Sequence, residues 1–364
     1  MFLLSRLIGI SCYCLILLIM CFLISNSNIK IKKILKIYVV ILTIMAFFFK
    51  PASSADLSRL IRESQFLANF NLTELLNYIK NTSTPLSNLY LYIFGKIGIY
   101  GLLPAVSTFI VFSNLFYVVD DYSSKKKFSN KTIAVIVLFL MSTGFYMETI
   151  SNIRDMVAYS ILIRCFYNEF YNGKSISKNL VYYIISILFH ASSLLFVTLR
   201  FIYLIMSSNS VKVVKKVIYI VIIILFSLLF KDYIEKAFLK FLYYSDENNN
   251  TYFYIWEYIK TWIEFFMCSI IILQCKLNKI NYNKIYIYNV YIMLFSLLIM
   301  KEYNMFLRFN YFNVFMIMPI AMENIEINNI YYKKSDFSKI IIVISLVMLL
   351  LSCSRGDLSS LKFF

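Results

Sequence analysis

Apolar runs long enough to cross a bilayer, separated by short connections that carry most of the lysines, recur along nearly the whole of this 364-residue chain. About 20 apolar residues span the ~30 Å hydrocarbon layer as a helix, and only helices and closed barrels satisfy every backbone group there. The runs near 2–24, 35–49, 102–119, 132–147, 155–171, 217–231, 255–275, 285–300, 305–322 and 340–353 predict membrane helices, and a further run covers 180–206. The chain is 60% hydrophobic, 18% aromatic and only 15% charged, with a mean hydropathy of +0.73, which leaves too little polar surface to wrap a soluble core. The sequence therefore predicts an all-α polytopic membrane protein of about 11–12 transmembrane or half-membrane helices. It reads as one multi-span domain over 1–364, without an internal repeat or a linker of domain type.

The net charge of +17 sits in lysine runs between apolar segments, the pattern of cytoplasmic anchors, so topology accounts for it and no nucleic-acid partner is expected. Seven scattered cysteines form no C-x-x-C pair and no Cys/His cluster, so neither a disulfide framework nor a metal site is expected. Phe2 to Ile24 is too long and lacks a small-residue cleavage site, and reads as the first span.

Orientation follows from the lysines. Lys30, Lys32, Lys33 and Lys36, then Lys125, Lys126, Lys127 and Lys131, then Lys174 and Lys178 mark cytoplasmic loops and place the N-terminus outside. From the other end, Lys276, Lys279 and Lys284, and Lys333, Lys334 and Lys339, mark two more. Lys212, Lys215 and Lys216 also look cytoplasmic, so the chain must cross an even number of times between Lys178 and Lys212. A broken hairpin meets that demand: a helix from about Leu180 to Phe189, a turn at His190, Ala191, Ser192 and Ser193, and a return from Leu194 to Met206. One tilted helix over 180–206 is the alternative, with the three lysines outside.

Two connections on the outer side differ from the rest. The segment 50–87 mixes Asp56, Arg59, Arg62, Glu63 and Glu74 with Leu57, Leu60, Ile61, Leu72, Leu75, Leu76 and Ile79 at helical spacing, as amphipathic helices on a membrane surface do. Leu86 to Ile99 extends it as an interfacial or re-entrant helix. The segment 232–254 carries Tyr243, Tyr244, Asp246, Glu247 and an asparagine run. Both are expected to roof an outward cavity.

On this topology Glu148, Asn152, Arg154 and Asp155 fall at the outer end between two spans, Arg308, Asn310 and Tyr311 near the outer end of the 305–322 run, and His190, the only histidine, at the hairpin tip. Ionisable groups at membrane depth are costly and mark functional sites. Arg154 and Arg308 are permanently charged forks suited to phosphate oxygens. His190, Asp155 or Glu148 can accept a proton from an attacking hydroxyl. Plainer readings stand beside these: an Arg154–Asp155 ion pair at a helix end, Arg308 snorkelling to headgroups, His190 bonding a neighbouring helix, and Glu148 as a solvated helix-start residue. Asp120 and Asp121 sit beside the cytoplasmic lysines and read as loop solvation, and the tyrosines as interfacial belt, with Tyr311 suited to stacking on a sugar.

The stretch Asn152-Ile-Arg154-Asp155-Met-Val-Ala158, then Asn172-Gly173-Lys174, then Leu188-Phe189-His190-Ala191-Ser192-Ser193-Leu194 resembles the EpsG-like family of bacterial membrane proteins, relatives of Wzy-type polymerases of O-antigen, capsule and exopolysaccharide. That family shows an N-x-R-Q-x-x-A helix start, a small basic turn and an F-H-x-S-A-L hairpin; here Asp155 replaces the usual Gln, and Ser193 stands where Ala is common. The resemblance implies a metal- and cofactor-independent glycosyltransferase in the bacterial cytoplasmic membrane, its active site facing outward. It would transfer a growing chain from undecaprenyl pyrophosphate to a hydroxyl of the next lipid-linked repeat unit. Catalysis would fall to His190, Arg154 and Asp155, and substrate binding to Arg308, Asn152, Glu148, Tyr311 and Asn310; a chain-length regulator is a possible partner. The rivals are a flippase or transporter of lipid-linked oligosaccharide, a membrane acyltransferase, and a glycosyltransferase using a polyprenyl-phosphate sugar with Asp56 as its carboxylate.

Overall fold

The computed structural model describes residues 2–26, 29–51, 55–207, 221, 255–278, 284–300, 303–331 and 336–354. The expected span 217–231 apart from Val221, the outer segment 232–254 and Lys212, Lys215, Lys216, Lys279, Lys333 and Lys334 lie outside the described residues. Among the described residues the chain forms fifteen α-helices and no strand, as expected. Four are long and apolar enough to cross a membrane: α1 (Phe2–Asn26), α6 (Leu102–Lys126), α12 (Ile255–Leu277) and α14 (Tyr303–Tyr331). A fifth candidate span is broken. α7 (Asn130–Ser142) and α8 (Phe145–Ser151) are bent by 48° at Gly144, whose φ of 82° needs the freedom that only glycine has.

The 50–87 segment is helical as predicted, as α3 (Asp56–Ala68), α4 (Leu72–Lys80) and the start of α5 (Pro85–Ile97). α3 buries Leu57, Leu60, Ser64 and Leu67, one face of an amphipathic helix. Asn71 and Glu74 close a capping box on α4, at 2.8 and 2.9 Å. Proline starts α5 and Gly98 ends it with a φ of 74°. A Cβ on Gly95 would lie 2.1 Å from the Ser64 carbonyl oxygen, so only glycine lets α5 press this closely on α3.

Hydrogen bonds between helices fix their relative directions. α2 (Ile31–Phe47) runs against α6, its end at Phe47 close to Gly101 before α6 and its Tyr38 stacked on Phe116 further along. α1 runs against α7, Tyr13 donating to the Met141 carbonyl at 2.7 Å and Cys21 to that of Ala134 at 3.7 Å. α12 and α14 run together: Asn310 donates to the Thr261 carbonyl and Asn324 to that of Ile271, both at 3.0 Å. α13 (Lys284–Leu298) and α15 (Asp336–Ser354) complete the bundle around α14, whose residues Phe309 to Met322 are all buried.

The segment between Lys174 and Ser207 decides between hairpin and single helix. α10 (Ile176–Phe189) and α11 (Ser193–Ser207) are separated by His190, Ala191 and Ser192. α10 runs against α9 (Ile153–Phe170): Ser186 donates to the Ala158 carbonyl at 2.9 Å and Asn179 to that of Cys165 at 3.3 Å. α11 runs with α9, pairing Ser192 with Tyr159 near its start and Tyr203 with Phe170 near its end. Tyr183 and Arg200 consequently reach the same Glu169 carboxylate, one from each arm. In one continuous helix they would be roughly 25 Å apart. The chain thus folds into the broken hairpin, its arms straddling α9 and His190 at its tip.

Two clusters of polar groups lie at opposite ends of the bundle. At one end Asp121 is held by Lys125 at 2.6 Å, Tyr167 at 2.6 Å and Asn172 at 3.2 Å; Lys126 lies 3.3 Å from Glu323, and Glu326 caps α7 through Ser129 and Thr132 at 2.9 and 2.5 Å. Asp121 is therefore a three-way acceptor inside α6, a correction to its reading as a solvated loop residue. The other end carries α3, α8, the first turn of α9 and the hairpin tip.

Candidate active site

Asp155 lies in the first turn of α9, where the helix dipole favours a carboxylate. Its side chain is 7% exposed, and a charge so buried is stable only when paired. Its two oxygens face different groups: Oδ1 lies 2.6 Å from His190 Nδ1, and Oδ2 is 3.1 Å from Arg308 Nε. Three segments far apart in sequence, the start of α9, the hairpin tip and the start of α14, meet at one carboxylate.

The hairpin turn explains why His190 points there. It ends α10 in an extended conformation, φ −150° and ψ 129°, and Ser193 N–H closes the turn onto its carbonyl at 3.1 Å. Ser192 Oγ lies 2.7 Å from His190 Nδ1 and 2.7 Å from Tyr159 Oη. Tyr159 follows Asp155 by one turn, on the same face of α9, and is fully buried between Phe196 and Phe312. The imidazole is thereby held on one nitrogen by a carboxylate and a hydroxyl, a support that fixes ring orientation. Arg308 is the most accessible of the three, at 23% exposure, and so is the member a ligand meets first.

Arg154 does not pair with its neighbour Asp155. Its Nη2 bonds Glu63 Oε2 on α3, and its Nε is buried without a partner. Tyr78 on α4 stands beside this pair: burial pushes its phenol above the ordinary range, Glu63 adding to the push and Arg154 opposing it. Glu148 is 5% exposed on α8 and accepts a hydrogen bond from Asn152, a correction to its reading as a solvated residue. Tyr311 is buried, with its ring against Phe145 at 5.3 Å. Asn310 is buried on another side of α14, donating to Glu264 Oε2 at 2.9 Å. The structure brings Asp155, His190 and Arg308 together; Arg154 adjoins them through the chain, whereas Asn310 and Tyr311 turn to other helices.

Five supporting residues fall outside the site that the sequence predicts. Tyr159 carried a signal, its i,i+4 spacing from Asp155. The sequence marks Ser192 only as a turn residue and Glu63 only as part of an amphipathic face. Arg200 and Glu169, ionisable groups inside apolar runs, carried the same depth signal as Arg154.

No curated protein and no solved structure matches the chain. The model of the EpsG family matches residues 65–362, a stretch that contains Arg154, Asp155, His190 and Arg308. The chain belongs to the EpsG family and is a multi-pass membrane protein of polysaccharide polymerisation.

Proposed function

We propose that this protein is a polysaccharide polymerase that transfers a growing oligosaccharide from undecaprenyl pyrophosphate to a hydroxyl of another lipid-linked repeat unit, at the outer face of the bacterial cytoplasmic membrane. The observation that carries the reading is the division of Asp155 between His190 and Arg308, at 2.6 and 3.1 Å. It sets a proton acceptor and a fixed cation on one support, as glycosyl transfer from a pyrophosphate requires.

In this reading the acceptor oxygen bonds to the anomeric carbon as that carbon's bond to the pyrophosphate oxygen breaks. The hydroxyl proton passes to His190 Nε2, since Nδ1 is engaged by Asp155 and Ser192, and the imidazolium that forms is stabilised by Asp155. The bonding electrons leave with the pyrophosphate, which stays on its lipid. Arg308 offsets the growing charge in a low-dielectric setting where a fixed cation is most effective. Arg154, buried at Nε and shared with Glu63, supplies a second cation beside it. The outward placement rests on the lysines, Lys125, Lys126 and Lys174 lying at the end opposite the site.

A transporter of lipid-linked oligosaccharide is the second reading, and one observation favours it. Ser160, Arg164 and Asn168 form a polar stripe down α9, meeting Asn114 and Tyr117 on α6 at 3.0 to 3.4 Å. The readings part in a purified system. Proteoliposomes given lipid-linked repeat units alone should elongate them and release undecaprenyl pyrophosphate; movement across the bilayer without elongation rejects the polymerase.

A further inference from the structure

α2 carries a stripe of half-exposed apolar side chains at helical spacing, Ile37, Val40, Ile44 and Phe48, from 47% to 56% exposed. In a membrane this is a lipid-facing track. At its top, where α2 meets α3 and α6, a half-open cavity of about 210 Å³ is walled by Phe47, Phe48, Leu57, Ile61 and Tyr100, with Lys50 at the rim. Lys50 is exposed and in no ion pair among the described residues. The backbone approach that shapes the floor is close: a Cβ on Gly101 would lie 2.5 Å from the Phe47 carbonyl oxygen.

We infer that this cavity is the seat of the polyprenyl chain of a lipid-linked substrate, holding its first isoprene units with Lys50 at the rim on the headgroup side. This rests on the polymerase reading for its substrate class and adds the place where the lipid sits. Three features argue for that occupant. The wall is hydrocarbon and aromatic, with a single cation at its mouth, which suits an apolar chain ending in an anion. The cavity continues the exposed stripe of α2, so a long chain can run from it into the bilayer. α3 is shared between cavity and site: Leu57 and Ile61 line the cavity while Glu63, on the other side of the same helix, holds Arg154. The body of α3, about 10 Å across, therefore separates the two. A pyrophosphate at the arginines needs such an exit for its tail.

Two measurements on the full-length protein in nanodiscs test the proposal. With Tyr100→p-benzoylphenylalanine, radiolabelled undecaprenyl pyrophosphate should crosslink on illumination and withstand an excess of phosphatidylglycerol, and Lys50→Gln should weaken that crosslink. Ile61→Trp, which fills the cavity, should raise KM for lipid-linked repeat units by about tenfold, with kcat within about twofold, as expected from lost apolar contact. No crosslink, or one displaced equally by phosphatidylglycerol, makes the cavity an ordinary lipid site and overturns the proposal; so does an unchanged KM. His190→Ala separates this from the catalytic reading. If it ends polymer synthesis while the crosslink fails, the cavity assignment alone falls. If it polymerises normally while the crosslink persists, the cavity stands and the catalytic assignment falls.

Discussion

Asp155 Oδ2 lies 3.1 Å from Arg308 Nε, joining the first turn of α9 to the start of α14. The same carboxylate holds His190 through its other oxygen, so one side chain sets both the charge of the imidazole's surroundings and the position of the guanidinium. Asp155→Asn keeps the shape and removes the charge. Polymer yield is expected to fall by about 10²–10⁴-fold, the range of general acid–base support, with the protein still inserted and folded. Glycan ladders on gels read this directly; a normal ladder would mean that the charge of Asp155 is not used.

Tyr159 and Ser192 act through His190 and are positioning residues. Tyr159→Phe removes one hydrogen bond from the chain that ends on Nδ1, and Ser192→Ala removes both. Tyr159→Phe should cost about 1 kcal/mol of local support and lower kcat by about fivefold, and Ser192→Ala by more, with KM little changed in both. A rise in KM at constant kcat would instead place these hydroxyls against substrate.

The hydropathy runs made the helices legible, and the expectation that Lys178 and Lys212 share a side pointed to the hairpin that α10 and α11 form. Partner choice was not legible. Arg154 is adjacent to Asp155 in sequence, yet successive residues on a helix point about 100° apart, and the nearer anion proved to be Glu63 on α3. Likewise Asn310, two residues from Arg308, turns to Glu264 on α12. A one-dimensional pattern places residues at one end of the bundle; which face of each helix meets which neighbour is set by the packing around α14.

Glu63 and Arg154 tie the amphipathic helix α3 to the start of α9. Arg154→Ala should abolish polymer while single repeat units accumulate on lipid. Glu63→Gln should leave measurable polymerisation, because the cation remains. Comparable loss in both variants would show that the contribution of Arg154 is to hold α3 in place and not to meet the pyrophosphate.

Glu169 accepts from Tyr183 and from Asn179 at 3.1 Å, and pairs with Arg200 at 3.2 Å, bracing both arms of the hairpin at the end away from His190. Glu169 and Arg200 are 2% and 6% exposed, so removing one partner strands the other. Glu169→Leu alone should destabilise by about 3–5 kcal/mol, and Glu169→Leu with Arg200→Met should recover much of that. Thermal unfolding in detergent distinguishes the cases; a single variant as stable as the parent would show that this pair does not brace the hairpin.

The most direct test of the central claim, that His190 on Asp155 accepts the acceptor proton beside Arg308, is the lipid-linked glycan profile of cells carrying His190→Ala at normal protein level. The account predicts single repeat units on the lipid carrier with no longer chains. A ladder of ordinary length and yield in that variant would contradict it.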